Sequence, residues 1–368
     1  MEKRKWADVL HIVSGKNQKD VQNPNGKYPI YGSGGKMGYA DEYLCEPGTT
    51  IVGRKGTINR PIYVDEPFWN IDTAFGVTPD EGLDSKYLFY FCVHFNFMPL
   101  DKSTGRPSLA KSDLLKIEMP VPSIDEQRRI VSRIEELFSE LDNSVSTLQK
   151  TKEQLKVYRQ AVLKDAFKGV VEKKPIRQMS EFVTSGSRGW AKYYADEGAR
   201  FIRITDLTRD KIILKNDGIQ RVNLPEETEG KRSRLNPFDV LVSITADLGS
   251  IALIPEDIEE AYINQHIAMI RFENPQLGEF MAWYLKSDYG QKDLLKNKRG
   301  GGKLGLGLDD IRDTPVPDVS DATSKKIVSE IESRLSVCDS IEHTVDTALQ
   351  QAEATRQSIL KQAFEGRL

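Results

Sequence analysis

Twelve residues near the middle of the chain return near its end. Tyr158 to Gly169 reads YRQAVLKDAFKG and Thr355 to Gly366 reads TRQSILKQAFEG, 197 residues later, with seven of the twelve positions identical. A repeat at about half of 368 residues points to two copies of one structural unit rather than one enlarged core. Each copy closes a long helical pattern that opens just after a Pro-Val-Pro triplet, at Pro120–Pro122 and again at Pro315–Pro317.

The helical patterns have a period of seven. Asp125 and Glu126 place negative charge at a helix start, and Ile134, Leu141, Leu148, Leu155 and Val162 then recur every seven residues. Ile130, Leu137, Ser144, Thr151 and Tyr158 offer a companion row. The second helix repeats the scheme with Ile331, Cys338, Val345, Ala352 and Ile359, flanked by Ile327, Ile341 and Ala348, and a shift of 197 superposes the two main rows. A surface helix packed on its own domain drifts at 3.6 residues, so a sustained repeat of seven predicts two seams that pair. The expected arrangement is an antiparallel pair of coiled-coil helices, each roughly 60 Å long at about 1.5 Å per residue. Gly169 suits a helix end, and Leu163, Phe167, Leu360 and Phe364 are placed to pack near the ends of the rod.

Between the helices the pattern is mixed. YPIYGSGGKMGY (28–39) reads as a strand followed by a glycine-rich loop, and TTIVGRKGTI (49–58) as two strands around a turn. DVLVSI (239–244) and AMIRF (268–272) are buried-strand candidates. FMAWYL (280–285) corresponds to YLFYF (87–91) at an offset of 194. The fold class is mixed α/β (α+β): two similar globular modules, 1–123 and 170–323, separated by helices over 124–169 and 324–368, with an internal pseudo-two-fold repeat.

Composition narrows the function. Hydrophobic residues at 39% and charged residues at 29% describe a globular chain, and no apolar run approaches the roughly 20 residues of a membrane span. The opening MEKRKWADVLHIVSGK lacks the apolar core of a signal peptide, so a cytoplasmic location is expected. Cys45, Cys92 and Cys338 lie far apart without a CxxC pair, and the four histidines have no metal-ligand spacing, so no metal site is expected. GSGGKMG (32–38) departs from G-x-G-x-x-G, and GGGK (300–303) lacks the Ser or Thr of a P-loop. Asn236-Pro237-Phe238 is similar to the Asn-Pro-Pro-aromatic motif of amino-methyltransferases but lacks the second proline. No catalytic residue is assigned.

What remains is Arg, Lys and aromatic groups on glycine-supported loops, in both modules. The first carries Tyr31, Lys36, Arg54, Lys55, Lys102 and Arg106. The second carries Arg188, Trp190, Tyr193, Arg203, Arg232, Lys298, Arg299 and Lys303. The net charge of −3 does not advertise a nucleic-acid binder, yet 292–303 holds five bases against one acid and 231–234 holds three bases and no acid. Glycine lets backbone approach phosphate, Lys neutralises it, and Arg can bond a guanine edge through two hydrogen bonds.

The order of segments is repeated and specific. YPIYGSGG (28–35) and ARFIRITDL (199–207) are followed by PGTTIVGRKGTI (47–58) and PFDVLVSITADLGSI (237–251). NIDTAF (70–75) and NQHIAM (264–269) come next, then GRPSL (105–109) and GKLGL (302–306). With IDEQRRIV (124–131) and the LK-x-AF-x-G endings, the chain resembles the specificity subunit of Type I restriction–modification enzymes over nearly its whole length. The resemblance implies two target-recognition domains, each reading one half of a split double-stranded DNA site, with the helices setting the gap. It implies no catalytic site here. Methyltransferase (modification) subunits, two of them in expectation, would carry S-adenosylmethionine, and restriction subunits would cleave using ATP and magnesium. The competing reading is a helix-paired assembly scaffold that never touches bases.

Overall fold

The structure is a computed structural model that describes the chain except Met1 and residues 226–229, 297 and 300–303. It divides into two compact units that cut across the long helices: 1–149 with 346–368, and 150–345. Among the described residues no helix is long and apolar enough to cross a membrane.

In the first unit β1 (Lys3–Lys5), β2 (Leu10–Ser14), β3 (Tyr28–Gly32), β4 (Gly35–Ala40), β5 (Thr49–Gly53), β6 (Ile62–Val64), β7 (Trp69–Asn70) and β8 (Ala74–Pro79) precede helices α1 (Ser85–His94) and α2 (Lys111–Leu114). Strand β9 (Glu118–Pro120) then leads into the long α3 (Ile124–Ala166). An antiparallel sheet runs β2-β8-β5-β6, a smaller one β4-β3-β7 has β3 and β7 parallel, and β1 pairs β9. The glycine-rich stretch after Tyr31 is a two-residue hairpin turn between β3 and β4. The second strand expected at Thr57–Ile58 does not form. A Cβ on Gly53 would lie 1.9 Å from Thr57 O, so the chain doubles back as a tight loop, and β5 takes Ile62–Val64 as its partner instead.

The second unit repeats this plan. Strands β10 (Lys173–Pro175), β11 (Ser180–Ser185), β12 (Tyr194–Ala195), β13 (Ala199–Ile202), β14 (Arg221–Val222), β15 (Val240–Ser243), β16 (Ile251–Leu253), β17 (Ala261–Ile263) and β18 (Ile267–Phe272) lead into α4 (Gly278–Lys286), α5 (Asp288–Leu294) and α6 (Leu308–Arg312). Strand β19 (Pro315–Pro317) precedes α7 (Asp321–Phe364). The sheet β11-β18-β15-β16 matches β2-β8-β5-β6 in order and sense, β13 and β17 are parallel as β3 and β7 are, and β10 pairs β19 as β1 pairs β9.

Helices α3 and α7 pair within each unit. In the first, Ile130, Ile134 and Phe138 of α3 share a core with Leu360 and Phe364 of α7 beneath α1. In the second, Leu155 and Val162 share one with Ile331, Leu335 and Cys338. The sense is antiparallel: in the second unit Arg159 meets Asp339 while Asp165, further along α3, meets Arg334, earlier on α7. Every member of the two main heptad rows is buried or half-buried.

The companion rows expected from the sequence hold at Ile130, which is buried, and at Leu137, Thr151, Ile327 and Ala348, which are half-buried, but elsewhere the seam shifts by one residue. Ser144 is exposed, Tyr158 is 45% exposed and Ile341 is 41% exposed; Val131, Phe138, Arg159 and Leu335 are buried in their place. At 3.6 residues per turn a residue four along lies about 40° from the main row and one three along about 60° to the other side. The nearer row therefore faces the partner helix. Arginine in that row hides it from a hydrophobic reading.

Helix positions follow local chemistry. Asp84 caps α1 by accepting from the backbone N–H of Lys86 and Tyr87, both at 3.0 Å. Gln127, fully buried near the start of α3, accepts from Asp84 N at 2.8 Å and donates to Gly82 O and Pro122 O at 2.9 Å each. One amide thus satisfies three backbone groups where α3 meets the module. Phe364 packs edge-on against Tyr87 and Phe91, and Phe167 against Phe280 and Tyr284. Since Phe167 and Phe364 are equivalents at 197, Tyr87 matches Phe280, which sets the helix correspondence at 193 rather than 194.

Candidate nucleic-acid interface

In the first module three segments meet beyond the carboxyl end of β5. Arg54 N donates to Thr73 O at 2.8 Å, Leu109 N to Arg54 O at 2.8 Å, and Gly56 N to Pro107 O at 2.8 Å. Ser33 Oγ, in the β3–β4 turn, donates to Lys55 O at 2.8 Å. The junction therefore gathers Arg54, Lys55 and Arg106 from separate stretches of sequence. Gly56 has φ +84°, and a Cβ there would stand 2.7 Å from Arg106 Nη2, so glycine both permits the turn and lets the guanidinium lie along it.

These three cations are available. Among the described residues none of them makes an ion pair. Arg54 lies over the Phe75 ring at 5.6 Å, which holds its stem. The other candidates are already engaged. Lys102 bonds Asp113 at 2.7 Å, and hydrogen bonds from Lys102 and Lys116 hold that carboxyl below its usual range. Lys36 donates to Tyr39 Oη at 2.8 Å, and this bond raises its pKa. Tyr31 is half-buried, edge-on to Phe68.

The second module builds the same junction from different side chains. Ile244 N donates to His266 O and Leu306 N to Ile244 O, both at 2.9 Å, so Ile244 stands where Arg54 does and His266 where Thr73 does. Arg299 exchanges backbone hydrogen bonds with Gly305 and donates to the buried Asp310 at 2.6 Å. Ser187 bridges Asn264, bringing the exposed Arg188 to this end of the module, and Arg232 donates to Thr184 Oγ1 at 3.2 Å. Arg203 donates to Gly218 O at 3.0 Å. Lys298 is exposed, and Lys303 lies outside the described residues.

Trp190 takes a different place from the one expected. It is 4% exposed and packs with Phe201 and Tyr262, with Tyr193 half-buried beside it, so its ring is core rather than a free stacking face. A glycine-flanked Trp among bases looks the same in sequence whichever way it points. Asn236-Pro237-Phe238 is a turn rather than a site: Asp239 Oδ2 accepts from Asn236 N at 2.7 Å, and Phe238 adopts φ +68°.

A chain of polar side chains at the second junction was not singled out in the sequence. Thr245 Oγ1 lies 2.6 Å from His266 Nδ1, and His266 Nε2 lies 3.0 Å from Gln265 Nε2. NQHIAM is legible in the sequence as the counterpart of NIDTAF, a likeness that says nothing of how its polar side chains are arranged. Among the described residues no group of three His, Cys, Asp or Glu is placed to hold a metal ion.

The family profile described as "Type I restriction modification DNA specificity domain" matches residues 1–156. The chain is 24% identical over 361 residues to the Type I restriction enzyme EcoBI specificity subunit of Escherichia coli, covering 89% of this chain and 75% of that one. It is 26% identical over 240 residues to the MjaVIII specificity subunit of Methanocaldococcus jannaschii, covering 58% and 55%. In fold it is similar to a chain from a study of complex assembly and conformational transition of the type I R-M system, with TM-score 0.78, 15% identity and coverage of 100% and 98%. It is also similar to the HsdS subunit of Thermoanaerobacter tengcongensis, with TM-score 0.57, 15% identity and coverage of 100% and 97%. A doubled module, two paired long helices and these likenesses converge: the chain matches the Type I restriction–modification DNA specificity domain over residues 1–156 and is similar over most of its length to specificity subunits of Type I restriction–modification systems.

Proposed function

We propose that each module reads one half of a bipartite DNA site and that α3 and α7 set the unread gap between the halves. The observation that carries this reading is the duplicated junction: two modules place the same backbone hydrogen bonds around different side chains. Arg54, Lys55 and Arg106 supply cations for phosphate or a guanine edge in the first module, and Arg188, Arg232 and Lys298 supply them in the second, where Arg299 is paired with Asp310. The helices also dock methyltransferase subunits, which carry S-adenosylmethionine, while restriction subunits use ATP and magnesium. The chain contributes recognition and no bond-making step.

Methylome sequencing of cells expressing the chain with its modification subunit tests the reading. A split motif with a fixed gap is expected, and removing one heptad from both α3 and α7 changes the gap while leaving both half-sites intact. A continuous motif, or an unaltered gap, would contradict it. An assembly scaffold that never touches bases would show no steep salt dependence of DNA binding, whereas a reader loses about 0.9 log units of affinity per log unit of salt for each phosphate contacted.

A further inference from the structure

The two modules sit in one chain, so they can be compared position by position. Their junctions share backbone bonds: Ile71 N donates to Tyr31 O as Asn264 N donates to Ile202 O, and Arg54 N to Thr73 O as Ile244 N to His266 O. The tip dipeptides Asp72-Thr73 and Gln265-His266 are therefore equivalent. At this place the scaffold is kept and the chemistry changes: a carboxylate in one module stands where an amide stands in the other, and Lys55 where Thr245 stands. Heads that read different half-sites need such a change.

We propose that Gln265 reads a base edge in the half-site of the second module, held in position by His266 and Thr245, and that Asp72 occupies the reading position of the first. The inference rests on the assignment of the modules as DNA readers. With His266 Nε2 accepting from the Gln265 amide at 3.0 Å, Nδ1 carries the ring proton and donates to Thr245 Oγ1 at 2.6 Å. One Nε2 proton of Gln265 is thereby engaged, which fixes the amide plane. The second proton and Oε1 are left to face a ligand, and they match the N7 acceptor and N6 donor of adenine. Asp72, exposed at the equivalent tip, can only accept while ionised, as cytosine N4 requires. His266 and Thr245 are positioning residues, since they act through Gln265.

The test is selection from random duplexes by the assembled complex of this chain with its modification subunit. Gln265→Ala should make one base pair of one half-site degenerate, with preference for A·T there falling roughly 10- to 100-fold, while the other half-site and the salt slope stay as they were. His266→Ala and Thr245→Val should relax that same base pair by less. Gln265→Glu, which keeps the size of the side chain, should move the preference at that position from adenine to cytosine. An unchanged motif with Gln265→Glu, or relaxation spread over both half-sites, overturns the proposal. A wild-type complex that selects no sequence removes the DNA-reading assignment itself, and this proposal with it.

Discussion

The first and second modules share a topology but meet the long helices through opposite electrostatics. In the first, Lys86 of α1 bonds Glu135 of α3 at 2.6 Å. The equivalents, 193 and 197 residues on, are Glu279 of α4 and Glu332 of α7. Burial and the neighbouring Glu332 push the Glu279 carboxyl up to about 7. A cation–carboxylate pair in one copy has become two carboxylates that share a proton in the other. The seam shows a similar divergence. Arg159 and Asp339 form a pair, and their equivalents Arg356 and Asp142 form one in the first unit, but Arg159 is 7% exposed and also holds Glu342 at 2.9 Å. Both copies keep the packing positions and the Arg–Asp seam pair, and the charges around them differ.

The buried seam pair should give the largest effect. Asp339→Ala with Glu342→Ala leaves the Arg159 guanidinium buried without these counter-charges and should cost about 3 kcal/mol, read as thermal destabilisation with faster hydrogen exchange in the 150–166 stretch of α3. A loss under 1 kcal/mol would show that water reaches the guanidinium and that the two seam pairs do not differ.

The shared proton comes next. Glu279 has a folded pKa above its unfolded value, so the folded state holds a proton that the unfolded state has released between about pH 4.5 and 7. That stabilisation is present below pH 4.5, is lost as the pH rises to about 7, and is flat beyond. With the group half-exposed, about 1–2 kcal/mol is expected. Glu279→Lys restores the pairing found in the first module and should remove this pH dependence from the melting of the second unit. A slope that survives the substitution would place its origin elsewhere. The smallest effect is expected at the exposed seam pair, where Asp142→Ala should cost about 0.5 kcal/mol, because Asp142 is 63% exposed and Arg356 keeps its place over the Phe138 ring at 4.3 Å. A cost near that of the Asp339 and Glu342 change would erase the distinction between the two seams.

These differences mark what the sequence could and could not convey. The doubled helix ending and the heptad row were legible because apolar residues at a fixed period carry their own signal. The companion row was legible only in part, because Arg159 and Arg356 occupy seam positions that a hydrophobic count reads as surface. The gathering of Arg54, Lys55 and Arg106 rests on backbone bonds between segments more than 50 residues apart, which no local pattern encodes. Trp190 gives the converse case: local composition does not say which way a ring faces, and this one packs into the core. At the second junction the informative residues, Gln265 and His266, lack the fixed charge that marks Arg and Lys in a sequence.

Independence of the two modules is the central claim, and exchanging one of them tests it most directly. Residues 1–123 are replaced by the first module of a similar Type I specificity subunit, and the methylome is sequenced with the same modification subunit. The account predicts that one half-site changes while the other half-site and the gap between them are retained. Alteration of both half-sites would contradict it.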